Sequence, residues 1–310
     1  MMSGTGAYDS QIIGHVCVDV NVDVTGAESR VIGGAAACAA GAAVSLGHRV
    51  EVVTAVGEGD EDLLSCFPPA VERIIAVPSR RTTSIRNVYR TQDRERRVSH
   101  GLEQGDPIGP EDVPDELVGV RHLAGLIVGD YAPDMVDSLF GRGDTAVDMQ
   151  AFLRVRSQRT GGLELRGSTA GEDFFGRIRY LKVDAAEGEA LTGLSDRRDM
   201  ARALRDRGAR EVMVSGPAEM LVLDDSGFHS CPLRPRTMVG RTGRGDTVFS
   251  AYITERLAHG VPQALLMACA TVSLKMERPG PLVCERREIE DYLHLLYSDL
   301  IDDSLEGDRD

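Results

Sequence analysis

The stretch Gly240-Arg241-Thr242-Gly243-Arg244-Gly245-Asp246 runs without a break into Thr247-Val248-Phe249-Ser250-Ala251-Tyr252-Ile253. Two glycines one residue apart let the backbone turn sharply and approach a ligand closely. The apolar spacing that follows predicts a helix over 247–259, so the turn feeds a helix N-terminus. Unpaired N–H groups and the positive end of the helix dipole favour an anion there, with no lysine required. Asp246 stands at the mouth of such a site. A carboxylate in that place either caps the helix or takes a proton from a hydroxyl attacking a phosphorus held by the amides.

Working outward, the 310-residue chain carries 35 basic residues against 49 acidic ones, a net charge of −14. Only Lys182 and Lys275 are lysines; the other basic residues are arginines. Neither lysine completes a G-x-x-x-x-G-K-[ST] run or a V-A-I-K motif, which excludes the lysine phosphate loop and the protein-kinase lysine. An anion is therefore expected on backbone amides, arginine or a metal ion. The acidic balance argues against a general nucleic-acid or membrane-surface protein, since neutralising phosphates takes clustered excess basic charge. No apolar run reaches the roughly 18 residues of a membrane span. Met1–Ser10 lacks the basic-then-apolar order of a secretory signal. The six cysteines form neither C-x-x-C nor zinc-ligand spacing and read as buried free thiols, so a cytoplasmic protein is expected. The acidic segment 302–310 reads as a frayed tail.

Short apolar segments alternate with helical ones. Strands are expected over 11–20, 49–56, 123–128, 146–149, 180–183 and 211–214, and helices over 35–46, 133–140, 186–191, 199–207 and 247–259. That alternation implies an α/β fold, a doubly wound, mostly parallel sheet with helices on both faces. Residues 82–99 break the rhythm, alternating polar and apolar about a turn at Gln92-Asp93. With 18–24 they predict a small β lid, its strands roughly within 16–30 and 80–103, on a single domain spanning 1–301.

With these residues in view, the chain resembles the PfkB carbohydrate kinases, the ribokinase-like family, collinearly over nearly all of 12–300. The family signature D-T-x-G-A-G-D stands here at 240–246 with G-x-G-D intact and the opening D-T lost. The resemblance implies Asp246 as catalytic base and the amides of Gly243, Arg244 and Gly245 as an anion hole. Gly14 and Asp19 match the first-strand pattern whose aspartate binds substrate hydroxyls, and Gly33-Gly34 match the glycine pair before the first helix. The N-x-x-E motif aligns with Asp184-Ala185-Ala186-Glu187, leaving Glu187 as the carboxylate for Mg2+. The nucleotide-side T-x-G-x-x-G survives in part, as Ser215 and Gly216 with Glu219 at the second glycine. Thr242 joins Asp184, Ser215, Gly216, Gly243 and Gly245 on the nucleotide side. A monovalent cation enters as a further candidate cofactor.

The plant inositol kinases, a branch of the same family, share the Gly-Gly-Ala-Ala-Ala start at 33–37 and a D-x-Q-A-x-x-R run at 148–154. Asp148 ends an apolar strand, where doubly wound sheets place ligands, and it reads either as a substrate contact with Gln150 or as a cap. Arg154 reads either as a phosphate contact or as a surface residue. Thr83, Arg86 and Asn87 are candidate lid contacts, while Arg94, Arg96 and Arg97 read as solvated. The resemblance implies an ATP- and Mg2+-dependent kinase acting on a hydroxyl of a sugar or polyol, with myo-inositol the first acceptor to try. A nucleoside kinase and a non-catalytic sugar-sensing paralogue are the alternatives. The expected partner is a small molecule, with no nucleic acid or membrane, and a monomer or homodimer is expected.

Overall fold

The computed structural model describes residues 6–91, 97–167 and 172–301. The acidic segment 302–310, the turn at Gln92-Asp93, and Arg94 and Arg96 lie outside those residues. The elements follow in chain order as β1 (Tyr8–Ile13), β2 (Cys17–Val22), β3 (Glu28–Gly33), α1 (Ala35–Ser45), β4 (Val50–Gly57), β5 (Arg73–Ser79), β6 (Thr83–Tyr89) and β7 (Arg97–Glu103). Next come β8 (Val118–Leu123), α2 (Met135–Leu139), β9 (Asp144–Asp148), α3 (Gln150–Leu153), β10 (Arg154–Arg156) and β11 (Leu163–Leu165). The chain continues through β12 (Tyr180–Asp184), α4 (Ala185–Thr192), α5 (Arg197–Asp206), β13 (Glu211–Ser215), β14 (Glu219–Asp224) and β15 (Gly227–Pro232). Three helices close it, α6 (Arg244–Glu255), α7 (Val261–Met276) and α8 (Arg286–Leu296).

Nine strands form the main sheet in the order β15-β14-β13-β12-β9-β8-β1-β4-β5. From β13 to β5 every pairing is parallel, and β14 and β15 add an antiparallel edge. Successive strand residues point to opposite faces, and here both faces are dry. Ala146, Tyr180 and Met213 pack into a core with α6, α7 and α8, while Val147, Leu181 and Val212 pack into a second core with α2 and α5. A third core joins α1 to β1 and β4. This is the doubly wound, two-faced α/β sheet that the alternation predicts.

Two expected strands change. A single strand over 11–20 is interrupted: β1 ends at Ile13 and β2 begins at Cys17 in another sheet. Gly14 marks the break, because a Cβ there would stand 2.2 Å from the Ala124 carbonyl oxygen. The strand expected at 123–128 lies instead at 118–123. Its buried Arg121 and His122 disguise a core strand as a polar segment.

A separate four-stranded sheet has the order β3-β2-β6-β7; β2 and β3 lie between β1 and α1 in the chain, and β6 and β7 follow β5. Its central pair β2–β6 is parallel and its outer pairs are antiparallel. Because β2 leaves the C-terminal end of β1 after three residues, this sheet stands at the edge where the parallel strands end. Asp148, Asp184 and Ser215 are the last residues of β9, β12 and β13, so they share that edge.

Candidate active site

The Gly243–Asp246 turn takes the form its glycines allow. Gly243 caps α6 at φ 81°, a left-handed conformation that glycine adopts without strain. A Cβ on it would lie 2.3 Å from Cys38 Sγ. The helix starts at Arg244, three residues before the predicted start, which puts Asp246 in its first turn. The Arg244 amide turns back to the Arg241 carbonyl at 3.3 Å and that of Thr247 to Gly243 at 3.0 Å. Among the described residues, no protein acceptor takes the Gly245 or Asp246 amide.

Two contiguous cavities meet at this turn. The larger, about 250 Å³, lies over Gly243, Gly245 and Asp246 and is bordered by Arg97, Arg154, Lys182, Arg241 and Arg244. The second runs beneath the four-stranded sheet, between Asp19, Asn87 and Ser99 on one side and Gly33, Gly34 and Cys38 on the other. Asp246 and Gln150 belong to both walls. Gln150 Nε2 donates to Asp246 Oδ1 at 3.0 Å, fixing the carboxylate where the cavities join.

Asp19 Oδ1 accepts from Asn87 Nδ2 at 3.2 Å. Burial pushes its pKa above the ordinary aspartate value, as does the Asp246 charge, while Arg97 and the Asn87 bond pull it back. Gly34 leads into α1 with φ 94°, and a Cβ there would stand 3.0 Å from the His15 carbonyl oxygen. Buried as a nearly all-alanine cylinder, α1 lets Ser250 on α6 reach its Ala39 carbonyl at 2.8 Å. This contact brings the phosphate turn against the glycine pair.

The expectation of an anion site needing no lysine is overturned in one respect, because both lysines stand beside the Gly240–Asp246 turn. Lys182, in mid-strand on β12, donates to Asp148 Oδ2 at 2.9 Å and lies 3.9 Å from Glu187 Oε2. A Cβ on Gly245 would be 2.9 Å from its Nζ, so the ammonium sits directly under the anion turn. Burial alone would lower its pKa, but Asp148, Glu187 and Asp246 together raise it, so it stays charged. Lys275, at the end of α7, donates to the carbonyls of Gly240 and Thr242.

Other expected residues move. Asp148 is 1% exposed and lines neither cavity; Lys182 and the Gln150 amide take its oxygens, so it positions the lysine rather than touching a ligand. Thr83 is fully buried, its hydroxyl shared by His15 Nδ1 at 2.7 Å and the Gly105 amide at 3.0 Å, so it makes no lid contact. Arg86 pairs with Glu28 instead of facing a cavity. Arg97, expected to be solvated, borders both cavities. On the nucleotide side, Ser215 borders the larger cavity and Gly216 does not. A Cβ on Gly216 would meet the Arg197 guanidinium at 2.5 Å, and Arg197 pairs with Glu219. Arg244 reaches over to the Pro217 carbonyl at 3.4 Å.

Asp184 caps α4, its carboxylate accepting the Glu187 amide while Glu187 Oε2 accepts the Asp184 amide, both at 2.8 Å. Burial raises the Glu187 pKa to about 7, against the pull of Lys182. Its Oε1 stays open toward the cavity, 3.9 Å from Arg154. That suits Mg2+, which takes one or two carboxylates and draws its other ligands from phosphate and water. Among the described residues no three His, Cys, Asp or Glu side chains gather into a protein-only metal cage.

Lys182 carried a readable signal, since a lone lysine inside the apolar strand Tyr180-Leu181-Lys182-Val183 must find a buried partner. Lys275, Arg97 and Ser99 carried none.

No family model matches the chain. A cytidine kinase of Thermococcus kodakarensis is 25% identical over 253 residues, 79% of this chain and 87% of its own length. A pyrophosphate-dependent kinase in the ribokinase family, solved as a sulfate complex, superposes with TM-score 0.82 at 29% identity, covering 91% of this chain and 99% of its own. The pyrophosphate-dependent kinase of that family complexed with a pyrophosphate analogue and myo-inositol gives 0.81 at 29%, with the same coverage. Arabidopsis thaliana ribokinase, complexed with ribose and ATP, shares the fold at TM-score 0.69 and 15% identity over 93% of this chain and 99% of its own. Among the described residues no helix is long and apolar enough to cross a membrane.

Proposed function

With the ribokinase-like (PfkB) kinases as the family this chain resembles in sequence and fold, we propose that it transfers a phosphoryl group from a phosphoanhydride to one hydroxyl of a small polyol or sugar, an inositol first. One observation carries the reading. Asp246, held by Gln150, forms the shared wall between a cavity over free helix amides, lined by four arginines and Lys182 against Asp184 and Glu187, and a cavity whose lining mixes Asp19, Asn87 and Ser99 with Val31, Ile32, Ile85 and Leu126.

In that arrangement the terminal phosphoryl rests on the amides of Gly243, Gly245 and Asp246, with Lys182, Arg97 and Arg154 neutralising its oxygens. The acceptor hydroxyl lies against Asp246 and is held through a neighbouring hydroxyl by Asp19. Its oxygen attacks phosphorus in line, its proton passes to Asp246, and the bridging P–O bond breaks to release the remainder of the donor. Glu187 and the phosphate oxygens would hold Mg2+, which when bound neutralises charge on the phosphate. Positioning and charge stabilisation supply most of the acceleration.

The donor-side lining favours pyrophosphate over ATP. Where the resemblance places the nucleotide, the Arg197–Glu219 pair and Arg244 occupy the Ser215–Glu219 turn. A bare diphosphate needs only the cationic cavity, and the relative bound to a pyrophosphate analogue supports that choice. ATP is the second donor to test. Among the described residues no aromatic ring lines the acceptor cavity, so a nucleobase would find no ring there to stack on, which ranks polyols above nucleosides.

The test is the purified protein with Mg2+, either pyrophosphate or ATP, and a panel of myo-inositol, ribose, fructose, cytidine and adenosine. Expected is acceptor-dependent release of orthophosphate with pyrophosphate and myo-inositol. Absence of turnover with every pair, alongside a ligand-raised melting temperature, would replace the enzyme with a sensor.

A further inference from the structure

The back of the phosphate turn is built as carefully as its front. There the carbonyl oxygens of Gly240 and Thr242 converge, and the ammonium of Lys275 donates to both. Lys275 is fully buried, and among the described residues no carboxylate forms an ion pair with it. Its charge is balanced by the two carbonyl dipoles and by the negative end of α7, in whose last turn it stands. The facing ionisable groups are the Cys38 thiol and Asp246.

The glycine replacing the signature's aspartate makes the contact feasible. A Cβ on Gly240 would lie 1.7 Å from the Arg278 carbonyl oxygen, and the Gly240 amide donates to the Met276 carbonyl at 2.8 Å. The turn is therefore laid directly on the C-terminus of α7. Each trans peptide unit is a rigid plane whose C=O and N–H point in opposite directions. Drawing the Thr242 carbonyl back toward the ammonium aims the Gly243 N–H, in the same plane, forward into the phosphate cavity.

We infer that Lys275 is a positioning residue serving as a tethered cation, which holds the anion turn in register and makes a free monovalent cation unnecessary for this protein. The inference rests on the phosphotransferase reading only for its turnover measurements. Pyrophosphate binding tests it independently.

Wild-type protein, in buffer whose only cations are choline and Mg2+, is compared with the same protein given KCl, NaCl or NH4Cl. Both turnover and calorimetric binding of inorganic pyrophosphate should change less than twofold. K275A should lose about 10²–10³ in kcat, the scale of one misdirected oxyanion donor, with the acceptor KM little moved. Ammonium or potassium should restore a large part of that loss and of the pyrophosphate affinity. Several-fold stimulation of wild type by potassium overturns the inference, even if K275A does not fold. It is overturned equally by K275A retaining wild-type kcat or by a folded K275A that no small cation rescues. If wild type turns over with no donor, the functional reading fails, and the binding comparison still decides the role of Lys275.

Discussion

Asp246 has one oxygen committed to Gln150 and one left for chemistry. D246N keeps the shape and the amide contact but cannot accept a proton, so kcat should fall by about 10²–10⁴ while pyrophosphate binding, read by calorimetry, survives. Undiminished turnover would remove Asp246 as base. Lys182 poses the opposite problem, since its partner Asp148 is as buried as it is. K182M strands a carboxylate in the core and should cost about 3–5 kcal/mol, visible as a lower Tm. Replacing both, as K182M with D148L, should return much of that stability yet leave pyrophosphate affinity low. The two variants thus separate what the pair does for folding from what the ammonium does for the anion.

At the scale of the element, the turn into α6 depends on backbone shape more than on side chains. G243A places a Cβ at a left-handed φ and drives it into Cys38 Sγ, so it should both destabilise the protein by about 1–3 kcal/mol and abolish pyrophosphate binding. A variant that folds and binds normally would show that the turn has slack. This part of the site was legible in advance: G-x-G-D before an apolar helix states its own conformation, and the glycines at 33 and 34 are where they were expected. Lys275 was illegible because its role depends on α7 ending against residues 35 positions earlier, a tertiary fact with no local pattern. The places of Thr83 and Arg97 are illegible in the sequence for a related reason. Alternation along β6 and β7 shows that two faces exist, and only the pairing of β6 with β2 and β7 decides which face meets the cavity. The edge pair β14–β15 and helices α7 and α8 escaped the sequence reading without disturbing the parallel sheet it described.

Across the whole molecule, distant elements are tied by a few buried charges. Glu255, at the end of α6 and 1% exposed, joins His48 from the α1–β4 connection to Arg286 at the start of α8. Burial alone would raise its pKa, but the His48 and Arg286 bonds prevail and hold it near 2, below its ordinary 4.5. A depressed carboxylate stabilises above its unfolded pKa and loses that contribution as pH falls through the folded one. Unfolding titrations should therefore show E255Q markedly weaker than wild type at pH 7, the gap narrowing between about pH 4.5 and 2. The two lysines carry a different consequence. Both are buried, so among the described residues the positive charge of the surface is guanidinium alone. Acylating reagents aimed at primary amines, such as N-hydroxysuccinimide esters, should find Lys275 closed to them in the native protein and reach Lys182 only through the cavity it borders. Mass spectrometry should record modification of Lys275 only once the molecule unfolds, which makes its acylation a direct counter of opened molecules and carbodiimide chemistry at the acidic surface the route to immobilising intact ones.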